Sequence, residues 1–331
     1  MASMARKAAA FAVVAAALVV LFFVAVNTGS LQVSPDQLLA GLFVAYDEDV
    51  AAVFDLRFPR VFIAMAGGAA LAVAGVLLQA AIRNPLADPG IIGITAGSSF
   101  FAAAAVALLP MLTVLAPLFA FAGGLVAFAI VYGLSWRDGL SPLRIILTGV
   151  AVSALFTGLS SAFNTGTGGD MTGVASIVNA NITLKTWDDL LTLAAYAVPA
   201  LVVAFVLAKR CDLLALEDKT VRSLGADVDA NRLAVSAVAV LLASISTAII
   251  GPVSFLGLVV PHIARIIVGS AHRVLIPFSV MLGAFCLLLA DTVGRTIVAP
   301  YEISAAVVMS VVGGPAFILL LRKARGSYAE R

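Results

Sequence analysis

The sequence predicts an all-α polytopic membrane protein with ten transmembrane helices. Three observations carry that prediction. Of 331 residues, 62% are hydrophobic and 11% charged, where soluble globular chains are roughly 25% charged. Apolar windows of about 19 residues succeed one another along the chain, each long enough to cross a hydrocarbon core of roughly 30 Å as a helix. The basic residues are also spread unevenly over the loops between those windows, which fixes the number of crossings.

The first span is read at about residues 8–27, after Arg6 and Lys7. The run is long for a signal peptide and lacks a clear small-residue cleavage site, so it is expected to be retained. A polar segment, 27–55, carries Asp47, Glu48, Asp49 and Asp55. The second span begins near Arg57 and ends near Ile82, where the breaker-rich RNPLADP (83–89) forms a turn. Spans 3 and 4 cover about 91–109 and 112–134, and the loop WRDGLSPLR (136–144) leads to span 5 at about 145–163. A Gly-, Thr- and Asn-rich loop, 164–186, precedes span 6 at about 190–208. Turn residues in GPVSFLG (251–257) divide the next uncharged run into span 7, about 233–250, and span 8, about 254–269. Spans 9 and 10 lie at about 274–291 and 303–321.

An even count puts both termini on one side. With the N-terminus in the cytoplasm, 16 of the 20 basic residues fall inside and only Arg57, Arg60, Lys185 and Arg295 fall outside. The expected location is a cell membrane, multi-pass, with both termini cytoplasmic. The chain forms one transmembrane domain, 1–331, with a charged cytoplasmic segment inside it at 209–232. That segment, KRCDLLALEDKTVRSLGADVDANR, holds ten of the 38 charged residues and lies between nearly uncharged runs. Its outer face requires water or a protein partner.

Little in the chain suggests catalysis. There is no G-x-x-x-x-G-K-[ST] phosphate loop, and the external TGTGG (165–169) reads as a flexible loop. His262 and His272 are ten apart without neighbouring acids or thiols, and Cys211 and Cys286 form no thiol motif, so neither a metal site nor a disulfide framework is indicated. The spans have almost no charge in their interiors. An ion-coupled transporter commonly carries one there despite a cost of about 2.5–3.5 kcal/mol, so the energy source is expected on another chain.

Three features remain as candidates. Ser153, Thr157, Ser160, Ser161 and Asn164 follow helical spacing along span 5. They are either packing hydroxyls bonded to their own helix or the wall of a substrate path. Arg57, Arg60 and Arg295 sit at outer span ends, as interfacial anchors or as docking points for an acidic partner, where they would set orientation and encounter rate more than affinity. Asp291 and Arg295, one turn apart, read as an interfacial pair. Ala64, Gly68 and Ala72 repeat every four residues on a small-residue packing face.

Four blocks in order resemble one family. They are RFPRVFIAMAGGAALAVAGVLLQAAIRNPLADPGIIGITAG (57–97), LLALEDKTVRSLGADV (213–228), the stretch from GPVSFLG to TVGR (251–295) and EISAAVVMSVVGGPAFILLLRK (302–323). The chain is similar, from Arg57 on, to the permease subunits of ABC importers for iron–siderophore, haem and cobalamin. The resemblance implies a ten-span type II importer permease, a second permease subunit, two cytoplasmic ATPase subunits and an external substrate-binding protein. It implies that Leu213–Gly225 couples to the ATPase, with Leu213, Leu214, Leu216, Thr220, Arg222, Leu224 and Gly225 as contact candidates. It also implies that Arg57, Arg60 and Arg295 face acids of the binding protein and that spans 5 and 10 line the path. The external segment VASIVNANITLKTW (174–187) departs from the family's usual Trp-x-x-Gly-Ser pattern.

The expectation is therefore a permease working by alternating access, most simply for an iron(III)–siderophore, with haem or cobalamin as alternatives and an ion-coupled secondary transporter as the rival class. No cofactor is expected on this chain, since ATP and Mg belong to the ATPase. Its partners are the subunits named and the lipid bilayer, with no nucleic acid.

Overall fold

The protein is seen here in a computed structural model that describes residues 4–28, 34, 37, 47–135, 142–166, 172–183, 185–299 and 301–329. Among these residues every regular element is a helix. In order they are α1 (Met4–Asn27), α2 (Glu48–Leu56), α3 (Phe58–Ile82), α4 (Ile94–Leu108), a 3-10 turn (Pro110–Leu115), α5 (Ala116–Ser135), α6 (Pro142–Gly166) and α7 (Thr172–Val178). Then follow α8 (Trp187–Val206), α9 (Ala208–Leu214), α10 (Asp218–Ser223), α11 (Val228–Ile250), α12 (Leu256–Val268), α13 (His272–Thr296) and α14 (Ala305–Ala329).

Seven helical stretches are long and apolar enough to cross a membrane: Met4–Asn27, Val53–Ile82, Pro110–Ser135, Arg144–Gly166, Trp187–Val206, Val228–Ile250 and His272–Thr296. Three shorter apolar helices, Ile94–Leu108, Leu256–Val268 and Ala305–Ile318, complete the ten expected. The fold of the described residues is all-α and carries the ten apolar helices that the sequence predicts. Two details differ from the expectation: the segment before span 2 contains the helix α2, and the loop before span 6 contains α7. The charged stretch forms two short helices, α9 and α10. The loop 136–141 and most of TGTGG lie outside the described residues.

Local chemistry sets the ends of these helices. Asp47 accepts the Val50 N–H and starts α2. Pro59 stands in the first turn of α3, where a missing N–H costs nothing, and Arg83 ends that helix in the left-handed conformation. Thr186 and Asp189 form a reciprocal capping box on α8. Asp227 accepts from Asp229 N and Ala230 N to start α11.

Helix α3 is the centre of the bundle. It is buried along nearly all its length and packs chiefly on α13 and α11, then on α12 and α8. Lipid gives helices no hydrophobic reason to associate, so close backbone contact must hold them together. The expected small-residue face supplies that contact. A Cβ added at Gly68 would overlap the backbone of Gly283 in α13, and one added at Gly75 would overlap Gly257 in α12.

The two breaker segments do not simply turn at a surface. Residues 83–93 run back into the bundle, and α4 starts part-way along it. Ser98 Oγ meets Ser244 Oγ at 2.8 Å. Ser244 is sixteen residues into α11, about 24 Å by helical rise. The start of α11 is tied to the end of α3 by Arg232 Nε, which donates to Ala81 O at 2.9 Å. The second segment, 251–255, meets the first inside the protein, where Gly90 lies against Ser254 and Gly257 against Asp88. Non-helical backbone at this depth is tolerated because protein surrounds it. Asp88 is 1% exposed, and its Oδ1 accepts Gly90 N–H at 2.8 Å and Ile91 N–H at 3.2 Å.

Candidate functional site

The chemistry gathers at the two ends of α3. At the Arg83 end, the charged stretch is bolted to the bundle. Arg83 Nε donates to Leu214 O, and its Nη1 lies 2.6 Å from Asp218 Oδ1. Arg232 Nη2 approaches the same oxygen at 3.6 Å. His272 Nδ1 lies 2.6 Å from Asp212 Oδ1, and the His272 backbone N–H donates to that oxygen as well. Thus α9 and α10 are fastened to α3, α11 and α13 by side chains from each. The histidine that has no acidic neighbour in sequence has one in space.

The seven coupling candidates divide by burial. Leu216 and Leu224 are 41% and 63% exposed. Thr220, Arg222 and Gly225 are exposed too, and Leu213 is half-buried. Leu214 is wholly buried, beside Cys211, Val221 and Val228 in the core. It holds the segment to the bundle and does not face outward. Gly225 has φ +78 with open space around it, so a conformational need for glycine explains it there.

At the Arg60 end the three arginines are brought together, but they turn inward. The Arg60 Nε and Nη2 donate to Asp291, with Nη2–Oδ1 at 2.8 Å, and Nη1 donates to Glu302 Oε2 at 2.9 Å. Arg295 Nε lies 3.3 Å from Asp291 Oδ2, and its Nη2 donates to Ala25 O at 3.0 Å. Arg57 Nη1 donates to Val26 O at 2.8 Å. The side chains of Arg60, Arg295 and Asp291 are 8%, 7% and 1% exposed. The expected interfacial pair of Asp291 and Arg295 exists, but it is buried and shared with Arg60. Arg60 and Arg295, two of the three candidates for docking an acidic partner, are paired here with carboxylates of the chain itself, as a buried charge requires.

Glu302 is the group that sequence reasoning passed over. It stands just before α14 and accepts two bonds on one oxygen, from Arg60 Nη1 and, at 2.8 Å, from Thr183 Oγ1. Burial alone would raise its carboxyl. Arg60, the Thr183 hydroxyl and Arg295 outweigh that, so its pKa lies below the ordinary value. No spacing rule relates Glu302 to Arg60, 242 positions away. A polar cavity of about 180 Å³ opens beside them, lined by Arg60, Asn179, Asn181, Thr183, Asp291 and Glu302 among others.

The stripe on α6 splits. Thr157 and Ser161 are exposed, Ser153 and Asn164 are half-buried, and Ser160 is buried with no hydrogen-bond partner for its hydroxyl among the described residues. Ser153 sits where the start of α4 comes close, its N–H lying against Gly93. Helix α14 turns Val307, Val311 and Val312 outward, while Gly313 packs on Phe255. Among the described residues no group of three His, Cys, Asp or Glu side chains could hold a metal ion.

Comparison with known proteins places this arrangement. Residues 17–323 match the FecCD transport family. The chain is 38% identical over 299 residues, 90% of its length and 91% of the relative's, to the "Probable heme-iron transport system permease protein IsdF" of Staphylococcus aureus strain MSSA476, and equally so to that of strain MW2. A solved structure described as "An inward-facing conformation of a putative metal-chelate type ABC transporter" superposes with a TM-score of 0.78 at 27% identity, covering 96% of this chain and 99% of the other. PsaBC from Streptococcus pneumoniae, in complex with a Fab, shares the fold at a TM-score of 0.59 and 15% identity, covering 86% of this chain and 95% of the other. The four sequence blocks, the ten apolar helices and these likenesses agree, and the chain belongs to the FecCD transport family of ABC-importer permeases.

Proposed function

We propose that this chain is the permease subunit through which an iron-bearing chelate, haem or a ferric siderophore, is imported by ATP-driven alternating access. The observation that carries the proposal is the two-ended organisation of α3. At its Arg83 end an exposed charged segment is fastened to the bundle by Arg83, Arg232 and His272. Near its other end lies a buried arginine–carboxylate cluster beside a polar cavity.

In this reading the Arg83 end faces the cytoplasm, as the loop charges favour. Leu216, Thr220, Arg222 and Leu224 then form the surface offered to a separate ATPase, which holds ATP and Mg. Leu213 lies beside that surface, with Leu214 and Gly225 shaping it. The Arg60 end meets a substrate-binding protein, with Arg57, Arg60 and Arg295 as the basic group. A second permease subunit completes the path, to which Thr157 and Ser161 contribute hydroxyls and Ser153, Ser160 and Asn164 the supporting face. ATP-driven movement of α9 and α10 is passed to α3, α11 and α13, and these rock about their glycine contacts.

The relatives named for haem-iron transport make haem as good a candidate as the siderophore that the sequence first suggested. The test is uptake into proteoliposomes containing this chain, its partner permease and the ATPase, with binding protein outside. Radiolabelled haem and ferric siderophore are offered separately. Uptake should require ATP and binding protein. Uptake driven by an ion gradient without the ATPase would overturn the reading in favour of a secondary transporter.

A further inference from the structure

The Arg60 cluster has two carboxylates of different kinds. Asp291 lies within the regular helix α13, five residues before its end, is 1% exposed and is held by both Arg60 and Arg295. Glu302 is 37% exposed and lies in the non-helical residues 301–304 that lead into α14. If either carboxylate can leave Arg60, it is Glu302.

Leaving would break more than one contact. The oxygen that accepts from Arg60 also accepts from Thr183. Thr183 ends the short turn that follows α7, and this turn has two further fixed points. Asn181 Oδ1 accepts the Thr183 N–H at 2.8 Å, and Ala180, at φ +51, lies against Gly251. Glu302 therefore ties three separate parts of the chain together at this end: α3 through Arg60, the turn 179–183 through Thr183, and the approach to α14. That turn lines the cavity between them, and its Asn179 and Asn181 are exposed.

An acidic side chain approaching Arg60 from this cavity meets an occupied guanidinium. Nε and Nη2 donate to Asp291, and Nη1, the nitrogen on the Glu302 side, donates to Glu302. Adding a third carboxylate would crowd like charges in a poorly solvated place. Exchanging one carboxylate for another keeps Arg60 paired throughout and leaves no buried charge alone. Glu302, once displaced, has water within reach.

We propose that Glu302 is an exchangeable internal ligand of Arg60, and that it latches the turn 179–183 and the start of α14 to α3 until an acidic side chain of the docking protein takes its place. The inference rests on the reading of Arg60 as a docking residue. It adds that docking releases the outer turn, so arrival of the binding protein and loosening of the outer surface are one event.

The test uses the transporter in lipid nanodiscs with its ATPase and unloaded binding protein. Three quantities are compared in wild type, Glu302→Gln and Thr183→Val. They are the Kd of the binding protein, the rate at which a membrane-impermeant maleimide modifies a thiol introduced by Ile182→Cys, a position of the turn only 4% exposed, and the background rate from Cys211 and Cys286 without that thiol. Glu302→Gln should tighten docking about tenfold and speed modification by a similar factor in the absence of binding protein, the size expected of one charge-assisted hydrogen bond. Thr183→Val keeps the Arg60 pair, and should speed modification while tightening docking by a smaller factor. It also serves if Glu302→Gln does not fold. Unchanged docking in both variants would overturn the exchange, whatever the modification rate; the docking reading falls separately, if Arg60→Lys also leaves the Kd unchanged. Tighter docking with unchanged modification would overturn the latch and leave the docking reading standing.

Discussion

Arg83 Nη1 and Asp218 Oδ1 lie 2.6 Å apart, joining the last turn of the central helix to the first residue of α10. Arg83 also holds Leu214 O, so one side chain grips both short helices of the charged segment. A force applied to that segment reaches α3 through this grip. Asp218 is 44% exposed, so the ion pair itself contributes little to stability, and its removal should be felt in transmission. Asp218→Asn is expected to leave assembly with the ATPase and basal hydrolysis intact while lowering substrate transported per ATP about fivefold, equivalent to about 1 kcal/mol. Parallel assays of uptake and phosphate release check this, and an unchanged ratio would exclude the grip as a transmission element.

Burial separates the leucines of the same segment. Leu214→Ala empties a filled core site and should cost about 2–5 kcal/mol, seen as a lower apparent melting temperature in detergent. Leu224→Ala should change it by about 0.5 kcal/mol or less. Replacing Leu216 and Leu224 by aspartate should keep the fold and abolish stimulation of the ATPase by loaded binding protein. Undiminished ATP-driven uptake in that double variant would count against the proposed contact surface.

The glycine contacts make a sharper contrast. Gly75→Ala forces a methyl group into the Gly257 backbone, where no side chain can move aside. Gly158→Ala meets nothing within 4 Å and gains helix propensity of about 1 kcal/mol. The first should prevent recovery of monodisperse protein, and the second should be neutral or stabilising. Size-exclusion profiles from matched preparations decide between them.

Asp291→Asn leaves Arg60 and Arg295 buried with less negative charge, and should cost about 3–5 kcal/mol. Glu302 answers to pH instead. Its folded-state pKa is depressed from the ordinary 4.5, so its contribution is present above pH 4.5 and is lost as pH falls through the folded value. Wild type should therefore lose thermal stability over that acidic range more steeply than Glu302→Gln. Equal slopes would mean the pair contributes nothing to folding.

Composition and period determined a great deal here. The ten apolar helices, their small-residue contacts and the isolation of 209–232 follow from local rules, because a membrane admits few backbone solutions and loop charge reports their order. The motifs of four blocks carried the family as well. Burial and pairing were another matter. The sequence places Arg60 and Arg295 at the ends of spans, yet only the folded chain turns them inward onto Asp291 and Glu302. It gives His272 no acid nearby, yet α9 brings Asp212 to it. It reads Leu214 and Leu216 as equivalent, yet one is core and the other surface. It reads RNPLADP and GPVSFLG as turns, yet the two segments meet inside the bundle. Each of these depends on which helix lies beside which. Partners 60 to 242 positions apart are chosen by the packing of α3 against its neighbours, and that packing is a property of the assembled bundle, with no local pattern in the sequence to announce it.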